Sequence, residues 1–379
     1  MSTNTIKDSS RKIRFALVGA GIIGNQHGTV MRELADELEL VAVVDVERSK
    51  AETISAQYGG TVYTSLTDAL AASEFDAVAV CTPTGAHAEV AIEALQAGKH
   101  VIIEKPAEVT LEKTDEIIAA QQKAGTKVTV ISQHRFDPST EIVLAAIANG
   151  ELGRLTSGIA SIDWWRGQSY YDSGDWRGTW AMDGGGALMN QGVHTVDLLV
   201  AAMGRPVEVF AYTACLAHER IEVEDVAAGV VKFESGALGV LHGSTAAFPG
   251  LSARLQVHGD KGSAVIDNDK LTYIHTTAAG SAKDEKFFGS NEPSNQLDRY
   301  QLQDSSAPAA GADPGQLSDA HRHQYRNFLA ALRGEEEIRV GLAENRQSVS
   351  VIMGVYESAR TGKPVSLVKD ASADKGGQR

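Results

Sequence analysis

A glycine string set between an apolar run and an amphipathic stretch constrains this chain more than any other feature. Residues 13–20 read IRFALVGA and run straight into GIIG, which puts Gly19, Gly21 and Gly24 in the spacing GxGxxG. An apolar strand that turns through glycines into a helix, here over 21–38, opens a strand–helix–strand crossover. The glycines permit a tight turn and a close approach of backbone to a pyrophosphate, whose charge the helix N-terminus favours. The next apolar run, LELVAVVDV (38–46), carries Asp45 at its end, 21 residues beyond Gly24. A carboxylate there accepts ribose hydroxyls. The cradle candidates are Gly19, Gly21, Ile22, Ile23 and Gly24, with Asp45 at the adenosine ribose. NAD is the expected cofactor. NADP stays possible, because Arg48 and Ser49 lie close to Asp45.

The alternation continues to about residue 136. Apolar runs at 61–65, 75–83, 100–106 and 127–136 alternate with helical stretches at 48–59, 66–72, 86–98 and 110–124. Such a pattern predicts a parallel sheet covered on both faces, a Rossmann domain over 12–136. A helix over 139–149 precedes a different pattern. Longer strands at 155–166, 207–215, 226–233, 237–245, 254–260, 262–269 and 270–275 are joined by turns such as Glu234-Ser235-Gly236 and Asp260-Lys261-Gly262. They predict a C-terminal α/β domain over 137–368 with a large, mostly antiparallel open sheet. Residues 279–318 read as a long polar loop. Helices at 319–333 and 342–361 close the fold, and the second is placed to pack back on the Rossmann domain. An arm over 1–11 and a tail over 369–379 read as disordered.

Composition removes whole classes of function. The net charge is −14, which is unsuited to nucleic acid or an anionic membrane surface. Two cysteines, Cys81 and Cys215, cannot build a disulfide scaffold or a four-ligand zinc site. No apolar run is long enough to span a bilayer, and the first residues lack an apolar signal core. A cytoplasmic protein is expected.

Four further segments carry chemistry. In CTPTGAHAEVA, Thr82 and Pro83 end a strand at the sheet edge where ligands bind, and His87 starts the next helix. Glu104, Lys105 and Pro106 end the following strand, where a lysine reaches the same crevice and can assist removal of a substrate proton. Thr82, Pro83, His87, Glu104 and Lys105 are candidate cofactor contacts. In DGGGALMNQGVHTVDLL (183–199), Asn190 and His194 are four apart and share a helix face, with Asp197 a turn beyond. His194 is the acid/base candidate and Asn190 an orienting one. One histidine in that helix leaves no zinc pair, so no metal is expected. Upstream, WWRGQSYYDSGDWRGTW (164–180) interleaves Trp164, Trp165, Arg166, Trp176, Arg177 and Trp180. Aromatic faces stack on sugar rings while arginines bond hydroxyls. Trp165 and Arg166 are therefore substrate-binding candidates beside Lys105, Asn190 and His194.

In this order the GAGIIG, EKP and GGGALMNQGVHTVDLL segments resemble the Gfo/Idh/MocA family of NAD(P)-dependent oxidoreductases. HRHQYRNFLAAL and YESARTGKPVSL are similar to its C-terminal helices. The resemblance implies a catalytic lysine at Lys105 and an active-site histidine at His194. It implies that Gln133 lies near the nicotinamide ribose, and that Trp176 and Arg177 lie near cofactor or substrate. The position four before the histidine, often an aspartate in inositol dehydrogenases, is Asn190 here, which removes a carboxylate beside His194 and Lys105. Residues 170–199 look more like members acting on sugars and their derivatives, including nucleotide-sugar dehydrogenases. The expected activity is NAD-linked interconversion of a ring secondary alcohol and ketone on a sugar, sugar derivative or glycoside. The alternatives are an inositol dehydrogenase, a keto-sugar reductase of the anhydrofructose type, or a non-catalytic NAD(P)-sensing regulator. A homodimer or homotetramer built through the second sheet is expected.

Overall fold

Six short strands form the first sheet: β1 (Ile13–Val18), β2 (Leu38–Val44), β3 (Thr61–Tyr63), β4 (Ala77–Val80), β5 (His100–Ile103) and β6 (Val128–Val130). They are all parallel, in the order β3-β2-β1-β4-β5-β6. Every residue of β4 and β5 is buried, because the connecting helices cover both faces. Those helices are α1 (Ile22–Glu33), α2 (Arg48–Tyr58), α3 (Leu66–Ala72), α4 (His87–Gln96) and α5 (Leu111–Ala124). Thr110 caps α5 by accepting the Lys113 N–H, which fixes where the chain leaves the crevice. The strand order reverses between β1 and β4, so a crevice opens at their carboxyl ends. The computed structural model describes residues 6, 11–277, 295–300 and 318–368. Most of the expected arm and of the 279–318 loop, and the whole tail, lie outside the described residues.

Helix α6 (Pro138–Ala148) leads into the second sheet. Its strands are β7 (Leu155–Asp163), β8 (Pro206–Ala214), β9 (Val226–Phe233), β10 (Leu238–Ser244), β11 (Ala253–Gly259), β12 (Ser263–Asp267), β13 (Lys270–His275) and a short β14 (Val365–Ser366). The order is β13-β12-β11-β7-β10-β9-β8-β14, antiparallel except for β7 beside β10. Two further helices lie between β7 and β8, the single turn α7 (Gln168–Tyr171) and α8 (Val193–Met203). One sheet face packs on α8, where Leu199 and Met203 join Val231, Phe233 and Leu241 in a continuous core. On the other face Tyr212, Val230, Leu238 and Val240 are 68%, 52%, 59% and 44% exposed.

Two closing helices tie the halves together. In α9 (Ser318–Arg333), Tyr325, Phe328, Leu329 and Leu332 are buried with Phe15 and Leu17 of β1. Thus α9 covers the first sheet, although it follows the second sheet in sequence. Helix α10 (Leu342–Thr361) does so only at its start. Leu342 joins the first core and Arg346 pairs with Asp115 at 2.5 Å, while Val349, Ile352 and Val355 belong to the second.

Candidate active site

The crevice at the end of β1 is a backbone structure. Gly19 sits at φ +99°, a conformation that glycine reaches without strain. A Cβ on Gly24 would lie 2.0 Å from the Gly19 carbonyl oxygen, whereas one on Gly21 would meet open space. Helix α1 starts with no side-chain cap and no acidic residue in its first turn, leaving its amides for an anion. Asp45 closes the loop, accepting the Ala20 N–H at 2.7 Å and the Glu47 N–H at 2.8 Å. At the neighbouring strand ends, Thr82 Oγ1 and Gln133 Oε1 are buried with no partner among the described residues. Uncapped amides, a glycine cradle and two unsatisfied polar atoms fit a dinucleotide laid across Gly19–Gly24, Asp45, Thr82, Pro83 and Gln133.

Two expected cofactor contacts turn elsewhere. The ring nitrogens of His87 lie 2.9 Å from the carbonyl oxygens of Pro106 and Thr82, so the ring ties two loops and keeps no nitrogen for a ligand. Glu104 points away from the crevice. His27 Nε2–H donates to its Oε1 at 2.8 Å, Tyr325 O–H donates to His27 Nδ1 at 2.6 Å, and Glu104 Oε2 accepts the Lys105 N–H at 3.0 Å. Burial would raise the Glu104 carboxyl, but bonds from His27 and His321 outweigh it and hold it well below the usual range. Neighbouring residues of an extended segment face opposite ways, so Glu104 turns inward when Lys105 faces the crevice.

Lys105 meets the second domain. Its Nζ donates to the Asn190 carbonyl oxygen at 2.9 Å. Asn190 lies in a wide π-helical turn, Ala187–Gly192, that feeds α8, and His194 is the second residue of that helix. The turn is anchored from below by Glu224, which accepts N–H bonds from Gly186 and Leu188 at 2.9 Å each and the Tyr356 O–H at 3.0 Å. Burial pushes the Glu224 carboxyl up to about 7. Asn190 Nδ2 donates to Asp183, whose other oxygen accepts the Gly178 N–H at 2.9 Å. Asp183, seven residues before Asn190, is thus a carboxylate that acts on Lys105. Asp197 plays no part here. Arg135 holds it at 2.6 and 2.7 Å and Ser348 O–H donates to it at 2.7 Å.

Electrostatics separate the two acid/base candidates. Burial lowers the Lys105 ammonium, Glu104 and Asp183 oppose this, and Arg177 and Arg166 reinforce it. Burial, Lys105 and His134 press His194 well below the usual imidazole range, so it is neutral at pH 7. Residues with perturbed titration grouped in a cleft are the usual mark of a functional centre.

The wall over this centre is aromatic and cationic. The Arg166 guanidinium lies 5.1 Å from the Trp164 ring centre and donates to Gln191 at 2.8 Å. Gln191 in turn donates to the Tyr170 hydroxyl at 2.9 Å. Arg177 stacks between Tyr170 and Trp176 at 4.3 and 4.4 Å. Neither arginine forms an ion pair with a carboxylate among the described residues. Trp165 packs edge-on to Phe248 with ring centres 5.3 Å apart, and Trp180 packs on Tyr356. Asp183, Tyr170, Gln191 and His134 were not candidates from sequence. The aspartate opening DGGG and the His–Asp pair in QHRFD are the signals that mark two of them.

Among the described residues, two groups of histidine and carboxylate atoms lie within 4.8 Å of one another, His27–Glu104–His321 and His134–Asp137–Asp269. In the first, both His27 nitrogens are spent on Tyr325 and Glu104. In the second, both carboxylates share the same His134 nitrogen.

Comparison with known proteins agrees with this architecture. Residues 13–132 match the family described as "Oxidoreductase family, NAD-binding Rossmann fold". Residues 141–265 match the GFO/IDH/MocA C-terminal domain. Inositol 2-dehydrogenase of Rhizobium meliloti is 31% identical over 69% of this chain and 78% of its own. The WlbA dehydrogenase of Chromobacterium violaceum, solved in complex with NADH and UDP-GlcNAcA, is 34% identical with a TM-score of 0.82, covering 97% of this chain and 98% of its own. The Bordetella pertussis WlbA dehydrogenase, in complex with the same two molecules, is 32% identical with a TM-score of 0.80, over 95% and 100%.

Proposed function

The chain belongs to the GFO/IDH/MocA family of NAD-binding oxidoreductases, and from that premise we propose that Lys105 and His194 together handle the proton of a ring secondary alcohol as it becomes a ketone. Bound NAD supplies a hydride acceptor, or in its reduced form a donor. The alcohol loses a proton from oxygen and a hydride from carbon, so a proton acceptor belongs at that oxygen. Neutral His194 accepts the hydroxyl hydrogen bond, and Lys105, lowered by its burial, exchanges the proton and stabilises negative charge on the oxygen. Asn190, braced by Asp183, orients the ring through a neighbouring hydroxyl. The Lys105–Asn190 contact carries this reading, because it joins the crevice of one domain to the acid/base helix of the other.

The substrate we favour is a sugar bearing an anionic group. Lys105, Arg166 and Arg177 supply three positive charges at the cleft, and the carboxylates that act on Lys105 are Asp183 and the inward Glu104. A neutral cyclitol would leave both arginines without a counter-charge. The relatives solved with UDP-GlcNAcA make a UDP-linked sugar acid the first compound to assay. The test is a panel of UDP-sugar acids, free sugars, glycosides and myo-inositol, followed by reduced-cofactor absorbance. Equal kcat/KM for myo-inositol and the sugar acids would defeat the anionic reading. No turnover with any ring alcohol would defeat the larger one.

Two finer points belong to the same reading. Exposed apolar residues on the open sheet face, Tyr212, Val230, Leu238 and Val240, suit a self-association surface, so the enzyme is a homodimer or homotetramer. Light scattering at the 40.2 kDa monomer mass at micromolar concentration would contradict it. The two cysteines are unpaired and no described helix is long and apolar enough to cross a membrane, which suits action in the cytoplasm.

A further inference from the structure

A histidine that the reaction does not use lies against the one that it does. His134 follows β6, and its ring meets the His194 ring edge-on with centres 5.0 Å apart. Its Nδ1–H is shared by two carboxylates, Asp137 at 2.8 Å and Asp269 at 3.1 Å. These come from different places. Asp137 opens α6, whereas Asp269 sits in the turn between β12 and β13, in the edge hairpin of the second sheet. That turn runs through Asn268 and Asp269 at φ +47° and +62°, a conformation that Asn and Asp tolerate. It is docked on α6, because Ser139 Oγ–H donates to the Asp269 carbonyl oxygen at 2.7 Å. The hairpin is thus built to deliver a second carboxylate to one imidazole nitrogen.

We propose that His134, clamped by Asp137 and Asp269, is a positioning residue that holds a fixed positive charge against His194 and so keeps His194 a hydrogen-bond acceptor. It rests on the role given to His194 above. Around His134 the facing charged and titratable groups are Asp269, Asp137 and His194, with His323 beside Asp137. Around His194 they are Lys105 at the end of β5, His134, Glu104 and His321 on α9. Burial would lower His134, but Asp269 and Asp137 outweigh it and hold the imidazolium well above the usual range. An imidazolium beside His194 opposes a second proton there. Once protonated, both His194 nitrogens would be donors, and the reacting hydroxyl would lose its acceptor.

The clamp is tested by histidine NMR titration of the NAD-loaded full-length enzyme, with the His194 signal assigned by its loss in His194→Asn. In wild type and in His134→Arg, which keeps a cation, His194 should titrate below the ordinary imidazole range. In His134→Leu its midpoint should move to higher pH, and in Asp269→Asn it should move the same way by less. The acid limb of kcat/KM should follow, with turnover at pH 7 down on the order of tenfold in His134→Leu and restored toward wild type in His134→Arg. An unmoved His194 midpoint in His134→Leu, or the same midpoint in His134→Leu and His134→Arg, would overturn the clamp. A moved midpoint with an unmoved rate profile would uphold the electrostatic clamp and overturn the acceptor role of His194.

Discussion

The two walls of the cleft are made of different material. The wall at the end of β1 is backbone: glycines, helix amides and one carboxylate, drawn from residues 19–45. The facing wall is side chain: Asn190 on Asp183, Gln191 between Arg166 and Tyr170, and Glu224 under the π-helical turn. A backbone wall tolerates little change and binds the part of a ligand that never varies. A side-chain wall can be altered residue by residue while the turn beneath it stays anchored. On this account cofactor binding and substrate choice can be separated by substitution, and Lys105, at the end of β5, joins the two walls through the Asn190 carbonyl.

Substitutions can break that division. The largest effect is expected at the shared residue. Lys105→Ala should lower turnover by about 100-fold or more, the usual contribution of an acid/base group, while NADH affinity by fluorescence titration stays near wild type. Normal turnover would remove Lys105 from the chemistry. Next comes the backbone wall. Gly24→Ala puts a methyl 2.0 Å from the Gly19 carbonyl oxygen, so it should cost about 1–3 kcal/mol in urea unfolding and abolish NADH binding. Tight NADH binding by that variant would show that the turn can move.

The anchor under the side-chain wall is expected to be pH-sensitive. Glu224 titrates at about 7 when folded against an ordinary 4.5, so the folded state keeps a proton that the unfolded chain releases. Its contribution is present in full below pH 4.5 and is lost as pH rises to about 7. Glu224→Gln should flatten the pH dependence of stability in that window by on the order of 3 kcal/mol. Identical unfolding curves across pH for both proteins would contradict it.

Smaller effects sharpen the comparison. Asn190→Ala should raise KM more than it lowers kcat, because an orienting hydrogen bond is lost in ground and transition states alike. A pure kcat defect would make Asn190 part of the chemistry. Asp45→Ser should leave turnover with NAD nearly intact and narrow the preference for NAD over NADP, since the aspartate would repel a 2′-phosphate. Unchanged discrimination would place that choice elsewhere.

The same contrast explains what was legible in the sequence. Strands β9 and β13 and helices α3 and α10 fall where the periodicity put them, because each buries one face within a single window. The glycine cradle was legible because its parts are close in sequence and its geometry requires glycine. The side-chain wall was not, because its contacts join distant residues. Arg166 reaches Gln191 across 25 positions, and Asp269 reaches His134 across far more. The apolar stripe of α9 was visible, but the sheet it covers was not, since either apolar face would accept it. Glu104 was misread for a local reason. Lys105 and Glu104 are adjacent, and a strand end cannot aim both into one crevice.

The central claim is that one group from each domain acts on one substrate oxygen, and a double-mutant cycle tests it most directly. Turnover would be measured for wild type, Lys105→Ala, His194→Ala and the double variant, each saturated with NAD and with the best substrate of the panel. If both groups serve the same proton, the double variant should be no more than a few-fold slower than the worse single variant. If the two losses simply multiply, Lys105 and His194 act independently, and the shared-oxygen account is wrong.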